Sequence, residues 1–150
     1  MASAALFPTI LVPTDFSPTA RRALDFARDL ARAAGPSRIV LVHAHFVPLE
    51  IEALAVRGVA QVFSEIEEQA RRDLEALATD LEKEGLQVKV VALEGAAESV
   101  ILKVIADESA DLVVMGTHAR KGLGHMFLGS IAERVLRLAP CAVVTVPPAS

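Results

Sequence analysis

Two stretches of this 150-residue chain carry residue types that can hold a sugar or a phosphate. The first is Asp15, which directly follows the apolar run Thr9-Ile-Leu-Val-Pro13. A carboxylate placed there can accept hydrogen bonds from hydroxyl groups. The second is the long loop from Gly116 to Ser130, which holds Gly116, Gly122, Gly124 and Gly129. Glycines let a backbone approach a ligand closely and adopt positive φ. The loop runs into a helical pattern, and a helix N-terminus offers free N–H groups and a favourable dipole to an anion. Two familiar phosphate motifs fail on this loop. Gly124-x4-Gly129 has P-loop glycine spacing, but Ser130 stands where the lysine belongs. Gly122-x-Gly124 begins a dinucleotide fingerprint, but Phe127 fills the third glycine position.

Each neighbouring polar group has a plainer reading beside the chemical one. Asp15 can cap the turn before the first helix. Ser130-Ile-Ala-Glu133 has the form of a capping box, in which the Ser130 hydroxyl serves the Glu133 N–H instead of a phosphate. His43 and His45 lie on one face of a strand and, with His118, raise the question of a metal site. No carboxylate or cysteine stands at ligand spacing, so no metal is expected. Arg120 and Lys121 either neutralise phosphates or are solvated. Met115 and Met126 read as packing residues, and Cys141 as an inert core thiol.

The elements that must position these groups follow from periodicity. Short apolar, β-branched runs at 9–13, 39–43, 86–93, 112–115 and 141–146 read as strands. Ser17-Pro18 reads as an N-cap followed by proline at the first helical position. Ala20, Ala23, Leu24, Ala27, Leu30 and Ala31 then form an apolar stripe that stops at Gly35-Pro36. A second stripe runs through Val59, Val62, Phe63, Ile66, Ala70, Leu74, Leu77 and Leu81 to a stop at Gly85. Residues 98–108 and 131–138 complete the helices. Strict alternation with nearly continuous apolar strands predicts an α/β fold, a parallel sheet with helices on both faces. Alternation leaves the spatial order of the strands open. In such sheets ligands bind beyond the carboxyl ends of the strands, which selects Asp15, His43 to His45, Glu94-Gly95 and the 116–129 loop.

Composition removes several functions. A formal net charge of −4 opposes a general nucleic-acid binder. With no Trp or Tyr, base-stacking platforms are not expected either. One cysteine excludes an internal disulfide framework and a Cys/His zinc finger. The N-terminus lacks a secretory pattern, and no apolar run is long enough for a membrane span. The expectation is one domain over residues 1–150, cytoplasmic, with no membrane partner.

Several motifs, in order along nearly the whole chain, resemble the universal stress protein family. Ile10-Leu-Val-Pro-Thr-Asp-Phe-Ser17 resembles its first strand and terminal aspartate. Ile39-Val-Leu-Val-His43 resembles its second strand, and Pro140-Cys-Ala-Val-Val-Thr-Val146 its last. Gly116-x2-Ala119-x9-Gly129-Ser130 is similar to its nucleotide motif. The resemblance implies a Rossmann-like, adenine nucleotide alpha hydrolase-like sheet in the order 3-2-1-4-5. It implies ATP or a related adenine nucleotide, with Mg2+ as a companion, between the first and fourth strands. Pro13, Thr14 and Asp15 match positions along adenine and ribose. Ala44, Met115 and Gly116 match the adenine wall. Thr117, His118 and Ala119 match loop positions near ribose and phosphate, and Gly129, Ser130 and Ile131 match the phosphate donors. A homodimer through the last strand is also implied.

Ala119 departs from the motif, which has glycine there; a methyl group can clash with ligand or forbid positive φ. The function so implied is a stress-response binding protein regulated by nucleotide. The alternatives are an interaction module without nucleotide, with Ala119 as the lesion, and a slow ATPase. A phosphorylation receiver fits worse, because Asp15 stands alone and Pro147 follows the fifth strand where a lysine is required.

Overall fold

The computed structural model describes residues 4–46, 57–117 and 128–150. Five strands alternate with four helices. In chain order these are β1 (Thr9–Pro13), α1 (Pro18–Ala33), β2 (Arg38–His45), α2 (Arg57–Lys83), β3 (Gln87–Glu94), α3 (Ala97–Glu108), β4 (Leu112–Gly116), α4 (Ser130–Leu138) and β5 (Ala142–Val146). All neighbouring strands pair in parallel, in the order β3-β2-β1-β4-β5. Among the described residues, no helix is long and apolar enough to cross a membrane.

Successive strand residues point to opposite faces, and this splits the core in two. Ile10, Val12, Ile39, Leu41, Leu112 and Val114 pack with Ala23 and Ala27 of α1 and with Leu74, Ala78 and Leu81 of α2. Leu11, Val40, Val42, Val113 and Met115 pack with Val100, Ile101, Val104 and Ile105 of α3 and with Ala132 and Val135 of α4. The central strands are buried on both sides, which is why they read as unbroken apolar runs rather than alternating ones.

Helix α1 starts as its sequence dictates. Ser17 is extended (φ −69°, ψ 159°), its Oγ accepts from Ala20 N at 3.1 Å, and Pro18 opens the helix. In α2 only the second half of the apolar stripe is buried. Val59, Val62 and Ile66 are exposed, because the contacts that bury this helix come from Leu74 onwards.

The two ends of the sheet differ in how tightly they are held. At the amino end, Arg38 donates from Nε to Thr9 Oγ1 (3.1 Å) and from its two NH groups to the Glu108 carboxylate and carbonyl (both 3.0 Å). Lys89 Nζ reaches the other Glu108 oxygen at 2.7 Å. Asp111 accepts from Thr9 N at 2.8 Å and returns its own N–H to Thr9 O at 2.9 Å. The Lys89 hydrogen bond, assisted by Arg38, lowers the Glu108 carboxyl below its usual range. β1, β2, β3, α3 and the residue that precedes β4 are therefore tied together at this pole by charge-assisted bonds.

At the carboxyl end β1 and β4 part. The β1–β2 register runs from Thr9↔Arg38 to Pro13↔Val42, whereas β1–β4 pairs only Ile10↔Leu112 and Leu11↔Val113. The cause lies in Pro13. Thr9 accepts from Asp111 on the β4 side, and Thr14 N donates to Val42 O on the β2 side at 2.8 Å. Backbone groups alternate sides along a strand, so the Pro13 nitrogen faces β4, and proline has no N–H to offer there. The strands diverge where the ladder lacks its donor.

Candidate functional site

The parting of β1 and β4 opens a cavity of about 550 Å³, within the range of small-molecule sites. Of the residues named from the family resemblance, Pro13, Thr14, Asp15, Ala44, Met115, Gly116, Gly129, Ser130 and Ile131 all line it. Thr117 does not. It is buried beside the site, donating from N to Val146 O at 2.9 Å and so extending β4 along β5. His118 and Ala119 lie outside the described residues, as do Arg120, Lys121, His125 and Met126.

Several lining residues escaped the sequence reading: Ser17, Ala20, Val42, Ala97, Ile101, Leu128, Ala132 and Glu133. Val42 had a signal, because it lies two residues before Ala44 and therefore on the same face of β2. Ala97 and Ile101 are one helical turn apart on α3. Their lining role depends on where α3 crosses the sheet, which periodicity does not specify.

The walls are chiefly aliphatic, from Val42, Ala44, Ile101, Met115 and Leu128, and the polar side chains come from the β1–α1 turn (Thr14, Asp15, Ser17) and the start of α4 (Ser130, Glu133). The β1–α1 turn is built from local bonds. Phe16 N donates to Thr14 Oγ1 and Ser17 N to Asp15 Oδ1, both at 3.0 Å. Phe16 sits at φ +63°, an unusual conformation for a bulky residue. Asp15 is exposed at this turn.

On the other lip, α4 corrects the capping-box expectation. The helix begins one residue early, with Gly129 as N-cap (φ −60°, ψ 155°) and no side-chain cap. Glu133 N donates to Gly129 O at 2.9 Å, an ordinary helical bond. The Glu133 carboxylate takes Arg137 at 2.8 Å instead of reaching back to the cap. Ser130 is therefore the first helical residue. The N–H groups of the opening turn have no intrahelical acceptor and lie at the cavity rim.

Gly116 serves packing, whatever else it does. A Cβ there would lie 2.8 Å from Thr19 Cγ2 and 2.9 Å from Thr19 C and O. The N-terminal turn of α1 thus rests directly on the end of β4. Among the described residues no group of His, Cys, Asp and Glu could hold a metal. His43 is occupied on the far side of the sheet by Thr14 O, 2.9 Å from its Nδ1. His45 approaches Glu67 at 3.6 Å. Cys141 is half-buried and precedes β5 instead of opening it. Burial, with the nearby Asp111 carboxylate, pushes its thiol pKa up, as suits an unreactive thiol.

A doubly wound parallel sheet with a crevice at its switch point defines a class of α/β proteins. Within that class the sequence is decisive: the universal stress protein family model matches residues 7–147, and the chain belongs to that family. A universal stress protein of Thermus aquaticus is 35% identical over 148 residues, covering 94% of this chain and 99% of its own. A solved Methanocaldococcus jannaschii universal stress protein superposes with a TM-score of 0.82 at 28% identity, covering 97% and 99% of the two chains. Two more distant neighbours share the fold. One is a universal stress protein crystallised with cAMP (TM-score 0.67, 22% identity, 97% and 100% coverage). The other, from Arabidopsis thaliana, has AMP bound (TM-score 0.65, 17% identity, 95% and 92% coverage).

Proposed function

We propose that this chain binds an adenine nucleotide in the β1–β4 crevice and works as a nucleotide-regulated binding protein of the stress response. The observation that carries this is the composition of the crevice. Aliphatic walls from β2, α3 and β4 suit a purine, Asp15 stands at one lip, and unspent N–H groups of α4 stand at the other. Asp15 would accept from ribose hydroxyls, while the amides of Ser130 and Ile131 and the Ser130 hydroxyl would donate to phosphate. Fold neighbours crystallised with cAMP and AMP support an adenine ligand.

The described ionisable residues of the lining are Asp15 and Glu133, both acidic. Neutralisation of a triphosphate therefore falls to backbone dipoles, to Mg2+ accompanying the nucleotide, and to Arg120 and Lys121. A nucleotide with fewer charges needs less of that help. Ser130 stands where a P-loop carries its phosphoryl-transfer lysine, which favours binding over hydrolysis.

The protein is also proposed to dimerise through β5. That strand is an edge, and Val143, Val144 and Thr145 are only half-buried in the single chain. Light scattering of wild type against Val144→Lys tests this: a monomeric wild type refutes it.

Thermal unfolding with ATP–Mg2+, AMP and cAMP tests the nucleotide reading. A ligand at about a hundred times its Kd adds roughly 2.7 kcal/mol, several degrees in Tm for this chain length. No shift at millimolar concentration of any of the three, and no nucleotide co-purifying by mass spectrometry, refutes it. Binding that appears only after Ala119→Gly supports the interaction-module alternative instead.

A further inference from the structure

The turn that carries Asp15 into the crevice is fastened from the opposite face of the sheet. Along β2, Val42 and Ala44 line the crevice, so His43 between them points to the α1/α2 side. From there its Nδ1 meets Thr14 O at 2.9 Å. A carbonyl only accepts, so Nδ1 carries the proton. Among the described bonds, β2 supplies the Thr14 carbonyl with this ring and supplies the Thr14 N–H with Val42 O. The His43 ring also lies against Phe16, with centroids 4.9 Å apart at 45°. Phe16 is the residue at φ +63°, and such strained positions persist only where surroundings over-determine them. One side chain thus contacts both neighbours of Asp15, while the crevice itself lies on the other face.

We propose that His43 is a positioning residue for nucleotide binding. Its Nδ1–H and its ring hold the Thr14-Asp15-Phe16 turn in the conformation that presents the Asp15 carboxylate to a ribose. The inference rests on reading the crevice as the nucleotide site, but the clamp itself can be examined without ligand.

The experiment compares wild type with His43→Leu, which keeps bulk and loses the donor, and His43→Asn, which keeps a donor near the Nδ1 position and loses the ring. Amide exchange by NMR on the ligand-free proteins is the first readout. The Leu variant should exchange Phe16 and Ser17 at least about tenfold faster than wild type, with Ile39 and Leu41 unchanged, and the Asn variant should recover part of the protection. Affinity is the second readout, with AMP and 2′,3′-dideoxy-AMP as probes. The Leu variant should lose about five- to tenfold for AMP, the size of one hydrogen bond. It should lose nothing for the dideoxy analogue, and nothing further on an Asp15→Ala background.

Unchanged exchange at Phe16 and Ser17, or equal loss for both ligands, overturns the proposal. If the Leu variant does not fold, long-range 1H–15N spectra of wild type decide it, since a proton on Nε2 alone overturns the clamp. Absence of AMP binding to wild type, with exchange behaving as expected, refutes the nucleotide reading and leaves the clamp established.

Discussion

Replacing Gly116 by alanine separates the structural demand on this glycine from any demand of a ligand. The added methyl would meet Thr19 Cγ2 at 2.8 Å and, more seriously, Thr19 C and O at 2.9 Å. The methyl end of Thr19 can rotate away, but the two backbone atoms belong to the first turn of α1. That turn is fixed by Ser17 and Pro18 and is buried at Thr19 and Ala20. Relief requires α1 or the end of β4 to move, and overpacking of this kind costs about 1–3 kcal/mol. For a chain of this length each kcal/mol moves Tm by about 2–4 °C, so Gly116→Ala should melt about 4–8 °C lower for a cost near 2 kcal/mol. Urea unfolding of the ligand-free protein is the assay. Thr19→Ala should rescue only the share due to Cγ2, so the double variant should remain less stable than Thr19→Ala alone. A ligand-free Gly116→Ala protein within about 0.5 kcal/mol of wild type would refute the reasoning, and would assign the glycine to the ligand.

Ser17→Ala removes the α1 cap and should cost about 1 kcal/mol in chemical unfolding, while Ser130→Ala, which removes no cap, should leave stability within about 0.5 kcal/mol. Glu108 has a lowered pKa, so its stabilising effect is complete above the usual glutamate value of 4.5 and disappears as pH falls through the lower folded value. Unfolding curves of wild type and Glu108→Gln should therefore differ most at neutral pH and converge in acid; a gap that widens below pH 4 contradicts the assignment. Asp15→Ala should weaken AMP binding about tenfold by calorimetry and have far less effect on a ligand lacking ribose hydroxyls.

The alternation of helices and parallel strands was legible because the central strands are buried on both faces and so appear as plain apolar runs. Ser17-Pro18 was legible as a helix start because cap chemistry is local. What failed was decided elsewhere. Ser130-x2-Glu133 matches a capping box, but Gly129 can take the cap conformation itself, and Arg137 one turn on competes for the Glu133 carboxylate. Val59, Val62 and Ile66 keep helical spacing, yet α2 meets the sheet only further along. Strand order came from family resemblance and not from any residue pattern. The lining roles of Ala97 and Ile101 depend on how α3 crosses the sheet. The demand on Gly116 arises from Thr19, distant in sequence and adjacent only once α1 has docked.

Pro13 gives the crevice a thermodynamic character. An opening made by a covalently missing donor exists before any ligand arrives and has no closed, fully laddered counterpart to compete with it. The β1–β4 opening itself should therefore impose no conformational discount on affinity. Association against those aliphatic walls should then carry the negative heat-capacity change of apolar burial.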